Sequence, residues 1–250
     1  MNPDKYYERR GVLTELLKKA QFQFQFMSIN DDIDLAPDAI AKSHDIKKTV
    51  DSLGRDLSRG ELASTLNHLL AYRKFLNSEN DIAIILEDDA DFIVDKFNCV
   101  ISLIINITNE KKPQVYLLTP VISYLNHNSQ RLNADYKVVE VVQSLDSSGY
   151  ILNREAAQRM ISANSKAWFI ADDWVRYKRY ANLSIFSVIP PIIIQNIGVF
   201  GSNLANSRAK IVKRRTLKYI LSRLSFKIIA DLKKYLWLMP FKGYVRNKGV

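Results

Sequence analysis

The sequence contains little cysteine, glycine or histidine, and each shortage argues against a class of protein or site. Cys99 is the single cysteine among 250 residues, so no disulfide can form within the chain, which fits a reducing compartment. The eight glycines include no Gly-x-x-x-x-Gly-Lys run. This disfavours a nucleotidyl or phosphoryl transferase that cradles phosphates in a glycine loop. No histidine follows His127, which excludes a histidine metal ligand in the second half of the chain.

Long uninterrupted apolar runs are also missing. Residues 181–207 carry no charge, but Pro190-Pro191, Gln195 and Asn196 interrupt the stretch, so we do not expect it to span a membrane. The first ten residues are polar and predict no signal peptide. A chain of this length can bury a full core in one large α/β domain with a small appendage.

Positive charge is concentrated at one end of the chain. The net charge is +10, from 36 lysines and arginines and 26 aspartates and glutamates. Residues 206–250 hold 13 of the basic residues and one acid, Asp231, whereas residues 1–205 hold 23 basic and 25 acidic residues. A near-neutral body with a strongly basic tail favours an anionic partner for the tail.

An apolar run that ends in acids is the most informative stretch. Residues 82–86 are apolar and rich in β-branched side chains, and the acids Glu87, Asp88, Asp89 and Asp91 follow them. The run predicts a strand buried on both faces of a parallel sheet, with the acids where open α/β sheets bind ligands. Because such close carboxylates repel one another, we expect a divalent cation, Mn²⁺ or Mg²⁺, that can also bind a diphosphate. The alternative is a solvated acidic turn.

Two other segments place polar residues at helix starts. Ser58 and Glu61 are spaced as a capping box, and the helix is expected to run to about Leu76. His68 lies two turns after Glu61, on the same face. A further helix begins at Asp172-Asp173. Acids at the amino end of a helix stabilise its dipole, so these two residues can have a structural role as an alternative to a catalytic one.

The order of these patterns predicts an α/β fold with a mainly parallel central sheet flanked by helices. Residues 6–20 have helical spacing and carry Arg9-Arg10, and residues 22–26 alternate phenylalanine with glutamine, as in a strand. Residues 45–57 show no clear pattern.

The segment 208–250 is predicted to be a basic amphipathic helical tail. Its apolar stripe consists of Leu217, Ile220, Leu221, Leu224, Ile228 and Leu232, with lysines and arginines on the other faces. Such a helix is typical of a membrane-surface element on anionic lipid. The alternative is a helix packed on the body with a solvated basic face. Nucleic acid is not expected as a partner, because the body has no basic face or aromatic-rich sheet motif.

Taken together, five segments resemble glycosyltransferase family 25, the bacterial lipooligosaccharide galactosyltransferase group. In family order they are Glu8-Arg9-Arg10, residues 57–63 with His68, residues 85–89, residues 148–152 with Ala156-Ala157, and Asp172-Asp173 with Pro190-Pro191 and Gln195. The Leu-Glu-Asp-Asp string alone is a weak signal, but the ordered set is specific. Residues 1–4 stand where the family has an apolar strand that helps form the nucleotide pocket.

The resemblance implies a GT-A type fold over residues 1–207, followed by the tail. It implies an inverting transfer of a hexose, with galactose as the expected sugar, from a UDP-sugar to a lipooligosaccharide or lipopolysaccharide acceptor. Because that acceptor is lipid-linked, the expected location is cytoplasmic and peripheral, on the inner face of the bacterial inner membrane. The alternative is a non-catalytic protein that binds a membrane or nucleic acid through the basic tail.

The resemblance also implies roles for individual residues. Asp89 would hold the cation with Glu87 and Asp88, or with Asp91 in a D-x-D arrangement, against the departing diphosphate. One carboxylate must take the proton of the acceptor hydroxyl, and Asp173 is favoured slightly over Asp172. Donor contacts are expected from Arg9, Arg10, Glu61 and His68, and acceptor contacts from Gly149 and Tyr150. The alternatives are a solvated helix face for the arginines, a helix cap for Glu61, a core position for His68 and an ordinary turn at Gly149.

Overall fold

The computed structural model describes residues 3–27, 36–195 and 217–247. Its helices are α1 (Pro3–Lys19), α2 (Pro37–Ser43), α3 (Ile46–Leu53), α4 (Arg59–Leu76), α5 (Val94–Ile107), α6 (Arg154–Ala163), α7 (Trp174–Tyr180), α8 (Leu217–Lys233) and the single turn α9 (Met239–Phe241). Its strands are β1 (Ile82–Leu86), β2 (Ala90–Phe92), β3 (Gln114–Leu117), β4 (Ser123–Arg131), β5 (Lys137–Gln143), β6 (Gly149–Asn153), β7 (Ser184–Ile189), β8 (Ile193–Gln195) and β9 (Tyr244–Arg246).

The central sheet is mostly antiparallel, so the prediction of a mainly parallel sheet is wrong. Seven strands follow the order β1-β6-β3-β7-β5-β4-β9, and among these neighbours only β3 and β7 run parallel. The mixed α/β class is confirmed. The alternation of strand and helix patterns along the chain predicted the mixed α/β class, but such alternation does not determine which strands pair or in which direction. Here β6 enters between β1 and β3 and runs antiparallel to both.

Strand β1 lies at the edge of this sheet, and its residues are half-buried. The run is apolar throughout because both of its faces meet a core. Ala83 and Ile85 pack against one cluster, while Ile82, Ile84 and Leu86 pack against the other. The expectation of contacts on both faces is confirmed, and the expectation of a parallel sheet is wrong, because, among the described strands, β1 pairs only with the antiparallel β6. The edge position leaves the acids after Leu86 near solvent.

Two apolar clusters, one on each face of the sheet, form the core. Helices α4, α6 and α7 contribute Leu69, Met160 and Trp174 to the first cluster, and α1 and α5 contribute Leu17 and Phe97 to the second. Successive side chains of a strand point to opposite faces, so the fully buried strands β3 and β6 supply residues to both clusters. The sheet therefore forms the middle of three layers, and its edge carries the acidic turn.

Local predictions hold where the side chains themselves determine the backbone. The Ser58 hydroxyl accepts from the Glu61 amide, and the Glu61 carboxylate accepts from the Ser58 amide, which confirms the capping box. The predicted strand at residues 22–26 is wrong, because these residues are extended but pair with no strand among the described residues. Helix α3 was not predicted, although Asp45 caps it by accepting from the Lys48 amide.

The tail is helical up to Phe241 and then returns to the body. A short π-helix, Lys234–Leu238, joins α8 to the final turn, and β9 pairs antiparallel with β4. The predicted tail is therefore partly an element of the sheet, and its residues 208–216 and 248–250 lie outside the described residues. In the parts of the chain described here, no helix combines the length and apolarity that crossing a bilayer would require.

Candidate active site

The first acid after β1, Glu87, is directed into the protein. Its amide donates to the Ser148 carbonyl at 2.9 Å. The Ser147 hydroxyl donates to Glu87 Oε1 at 2.5 Å, and His68 Nε2 lies 3.3 Å from the same oxygen. Burial raises the pKa of Glu87, but the hydrogen bonds from His68 and Ser147, with the charge of Arg9, outweigh burial and hold this pKa below its usual value. Glu87 is therefore an anchored carboxylate.

A buried chain of hydrogen bonds fixes the histidine that holds Glu87. His68 Nδ1 lies 2.7 Å from the Tyr150 hydroxyl, which lies 2.5 Å from the Tyr72 hydroxyl. Burial raises the pKa of Tyr72 and of Tyr150 well above the usual value, so both stay protonated. His68 is thus buried with both ring nitrogens engaged, as the alternative of a core position predicted, and its contact with a donor stays a prediction.

The predicted contacts of Gly149 and Tyr150 with an acceptor do not fit the structure, because both residues are buried. The Tyr150 ring is completely buried between His68 and Trp174, so it has no face on which a sugar can stack. At Gly149 the space is occupied by a side chain, because a Cβ built there would lie 2.3 Å from Ile193 Cδ1. Gly149 permits close packing, and Tyr150 acts through its hydroxyl on His68.

The next two acids face the arginine of the first helix. Arg9 Nη1 on α1 lies 3.5 Å from Asp88 Oδ1 and 3.9 Å from Asp89 Oδ2. Burial raises the pKa of Asp88, with Arg9 opposing the shift. Burial, together with the charges of Glu87 and Asp88, raises the pKa of Asp89 to about 6. Arg10 instead packs over Phe26, with 5.3 Å between its guanidinium carbon and the ring centre. One arginine of the pair therefore faces the site.

A four-acid metal site is not assembled. Within the described ranges of the chain, no three histidine, cysteine, aspartate or glutamate side chains converge as metal ligands. Glu87 is turned towards His68, and Asp91 lies in β2 opposite Ile194. Asp88 and Asp89 nevertheless fit a cation, because Asp89 Oδ1 is buried without a hydrogen-bond partner among the described residues. Mg²⁺ and Mn²⁺ that serve nucleotides commonly take one or two carboxylates and complete their coordination with phosphate and water.

A cavity of about 180 Å³ opens beside Glu87. Its acidic lining consists of Glu61, Glu87, Asp146 and Asp172. Arg55 donates to both carboxylate oxygens of Glu61, at 2.7 and 2.8 Å, and this hydrogen bonding raises the pKa of Arg55 despite burial. Glu61 is therefore committed to the helix cap and to Arg55. The cavity lining also includes Gln195.

The two acids before α7 have different positions. Asp173 caps α7, where its carboxylate accepts from the Arg176 amide at 3.0 Å and also pairs with the Arg176 guanidinium. Asp172 instead lines the cavity, and its charge acts on Arg55. The sequence slightly favoured Asp173 as the acid that takes the acceptor proton. In the structure, however, the amide and the guanidinium of Arg176 engage the Asp173 carboxylate, and Asp172 is the acid in the cavity lining.

Comparison with known proteins identifies the family of the chain. The model of glycosyltransferase family 25 (LPS biosynthesis protein) matches residues 2–175 of the chain. The chain belongs to glycosyltransferase family 25. No curated protein matches the chain closely enough to count as a relative.

Family 25 membership makes this chain a glycosyltransferase of lipopolysaccharide biosynthesis, with a sugar donor and an oligosaccharide acceptor. The matched region includes the arginine pair, the capped helix α4, the acidic turn and Asp172-Asp173. The sequence did not predict three residues at or beside this cavity: Asp146 and Ser147 in its lining, and Arg55 bound to Glu61. The Asp146-x-Ser148 spacing is a local signal, since the Asp146 carboxylate accepts from the Ser148 amide at 2.8 Å. Arg55 carried no signal, because its partner Glu61 was already explained as a cap.

Proposed function

We propose that this family-25 enzyme transfers a hexose from a UDP-sugar to a lipid-linked oligosaccharide, with inversion, in the cavity between the acidic turn and α7. The observation that carries the proposal is the juxtaposition of two kinds of carboxylate. Asp88 and Asp89 lie with Arg9 after β1, and Asp172 lines the adjacent cavity together with Glu87. Inversion needs one group beside the leaving phosphate and another on the opposite face of the sugar.

In this mechanism Asp172 takes the proton of the acceptor hydroxyl as that oxygen attacks the anomeric carbon. Glu87, fixed by His68 and Ser147, accepts a hydrogen bond from a sugar hydroxyl and so orients the ring. Asp88 and Asp89 would hold Mn²⁺ or Mg²⁺, which when bound neutralises the charge that develops on the diphosphate. Arg9 restrains these two carboxylates and offers a further positive charge near the phosphates.

A panel of UDP-sugars tests this proposal. We expect release of UDP with one hexose donor in the presence of Mn²⁺ and a delipidated lipooligosaccharide acceptor, and loss of release with a chelator. NMR of the product should show the anomeric configuration opposite to that of the donor. Retention of configuration would contradict the assigned roles, and turnover that is unchanged by chelator would reject the metal. A lack of turnover with every UDP-sugar would reject the donor class.

The exposed tail supports a peripheral position on an anionic bilayer. Five residues of the predicted stripe, Ile220, Leu221, Leu224, Ile228 and Leu232, are 46–58% exposed. The apolar surface continues into the π-helix with Leu236 and Trp237, 68% and 52% exposed. Exposed apolar side chains flanked by basic ones match the interface of an anionic membrane. In this proposal the helix brings the cavity to a lipid-linked acceptor on the cytoplasmic face of the inner membrane.

Substitution of the stripe should weaken membrane binding without affecting catalysis on soluble acceptors. Point changes are preferable to deletion, because β9 belongs to the sheet. For Leu224→Glu with Ile228→Glu we expect binding to vesicles of anionic phospholipid to fall by on the order of 30-fold or more, from lost apolar burial and added negative charge. The matched control is Ile105→Glu, because Ile105 on α5 is 47% exposed outside the tail. Equal vesicle binding by all three proteins in a flotation assay would reject the membrane proposal.

A further inference from the structure

A second and larger cavity lies beside the one that holds Asp172. Its volume is about 350 Å³, and α3 forms one wall with Asp45, Lys48, Asp51 and Ser52. The opposite wall contains Trp168 and Tyr180, the last residue of α7. None of these residues takes part in the proposed chemistry.

The two cavities are neighbours because one guanidinium separates them. Arg176 donates to the Ser52 hydroxyl from Nε at 3.2 Å and from Nη2 at 3.1 Å. The same guanidinium pairs through Nη1 with Asp173, the residue after Asp172. Ser52 also lies three residues before Arg55, which binds Glu61 in the first cavity. Arg176 therefore lies between the two cavities, next to Ser52 in the lining of the second and next to Asp173 beside the first.

The aromatic pair in the second cavity is held for contact with a flat apolar face. The Trp168 ring is buried and meets Tyr180 edge to face, with 4.9 Å between ring centres. Tyr180 is 50% exposed, and the guanidinium carbon of Arg179 lies 5.5 Å from the centre of its ring, so a ligand that stacks on this ring takes the place of that guanidinium. The opposite wall of the cavity is polar, because Asp45, Asp51 and Ser52 supply oxygens there. A pyranose ring presents both features, since its C–H face stacks on aromatics while its hydroxyls bond to carboxylates.

The charges of the cavity lining favour a neutral sugar over a phosphate or over a peptide whose charges all have one sign. Lys47 and Lys48 in the lining are balanced by Asp45 and Asp51. Lys48 Nζ also lies 4.0 Å from the centre of the Trp168 ring, where it is engaged as a cation over an aromatic face. A cavity with balanced charges and an exposed tyrosine therefore suits a hydroxyl-rich, uncharged ligand.

We propose that the cavity between α3 and Tyr180 is an acceptor subsite, which binds the sugar ring next to the one that receives the hexose. This inference rests on the proposed function, because the first cavity must hold the reacting acceptor sugar. It explains how an enzyme with a small reaction cavity can select an oligosaccharide over a single sugar. Tyr180 supplies the stacking face, Asp51 accepts hydrogen bonds from ring hydroxyls, and the Ser52 hydroxyl, which already accepts from Arg176, donates one to the sugar.

Binding of acceptor without donor tests the subsite directly. We expect delipidated core oligosaccharide to bind wild-type protein in saturation-transfer-difference NMR, and Tyr180→Ala to weaken this binding roughly tenfold through loss of stacking. Tyr180→Phe should retain binding, because it keeps the ring. The matched control is Tyr235→Ala, since Tyr235 is 61% exposed in the tail, and it should bind as wild type does. Equal binding by Tyr180→Ala and wild type, or no binding to wild type, overturns the subsite.

Kinetics separate this inference from the proposed function. Tyr180→Ala should raise KM for the oligosaccharide about tenfold with kcat little changed, and leave KM for a methyl hexoside unchanged, because a single sugar does not reach the second cavity. An equal rise in KM for both acceptors would reject the subsite while leaving the transferase intact. Tyr180-dependent oligosaccharide binding in a protein with no UDP-sugar turnover would retain the subsite and reject the transferase chemistry.

Discussion

Asp172→Asn is expected to lower kcat for sugar transfer about 10³-fold while leaving the fold intact. Removal of a positioned general base typically costs 10²–10⁴-fold. Asp172 lines the reaction cavity with Glu87, so its carboxylate is where an acceptor hydroxyl can meet it. Asparagine has the same shape but does not take a proton, so KM for the donor should change little. Single-turnover kinetics with the donor identified by the UDP-sugar panel measure the chemical step.

The neighbouring aspartate provides the control for this experiment. Asp173 caps α7 and pairs with Arg176, so Asp173→Asn should act mainly on stability. Asparagine is itself a good helix cap, and we expect a loss of about 1 kcal/mol from the ion pair, with kcat reduced less than tenfold. Urea unfolding of the two variants measures this difference. A large loss of kcat in Asp173→Asn with none in Asp172→Asn would restore the ranking that the sequence suggested.

Asp89→Asn should change activity and stability in opposite directions. Asp89 is a proposed metal ligand, and we expect its loss to lower turnover with Mn²⁺ at least 10²-fold, since a catalytic cation supplies several kcal/mol of charge stabilisation. Without metal, however, the carboxylate is held close to Glu87 and Asp88. Removing its charge relieves this repulsion, so the metal-free variant should unfold at a higher temperature than metal-free wild type.

The pH dependence of the stability gain follows from the pKa of Asp89. Burial and the neighbouring acids raise this pKa from 3.8 to about 6 in the folded protein. The folded protein therefore binds a proton at Asp89 more tightly than the unfolded chain does, and the contribution of Asp89 to the stability of wild type falls as pH rises from about 4 to about 7. The side chain is 15% exposed, and the shift corresponds to at most about 3 kcal/mol. We expect Asp89→Asn to gain about 1–3 kcal/mol at pH 8 and almost nothing at pH 4.

Thermal unfolding at both pH values, with and without Mn²⁺, tests this prediction. Mn²⁺ at pH 8 should raise the melting temperature of wild type and not that of Asp89→Asn, because binding to the folded state alone stabilises it. Asp95→Asn serves as the matched control, since Asp95 is an exposed acid at the start of α5. An equal gain at pH 4 and pH 8 would show that charge repulsion is not the cause. A gain in melting temperature with full activity would remove Asp89 from the metal site.

The sequence predicted those parts of the site that depend on neighbours along the chain. The apolar run before Glu87 indicated β1 and placed the acids at its end, and the Ser58–Glu61 spacing indicated the cap of α4. Helical periodicity also placed His68 on the same face of α4 as Glu61, because residues two turns apart share a face. These features are local, so the side chains themselves determine them.

Strand pairing and burial were decided by the tertiary structure alone. The order of strands placed β6 between β1 and β3, and the pattern of apolar residues is the same for parallel and antiparallel neighbours when both faces of a sheet are covered. Tyr150 is fully buried, so its hydroxyl hydrogen-bonds to His68 and its ring cannot contact a sugar. The tertiary structure likewise decides that Asp173 pairs with Arg176 and that Asp172 lines the cavity.

By itself, then, the sequence determined β1, the capped helix α4, the acidic turn and the basic tail, because these follow from residues within a few positions of each other. The tertiary structure decided which strands pair, which carboxylates face the cavity and which are engaged by arginine. Those outcomes require contacts between residues distant in the chain, such as Arg9 with Asp88 and Ser147 with Glu87. Spacing along one chain carries no information about such contacts until the sheet has brought its strands together.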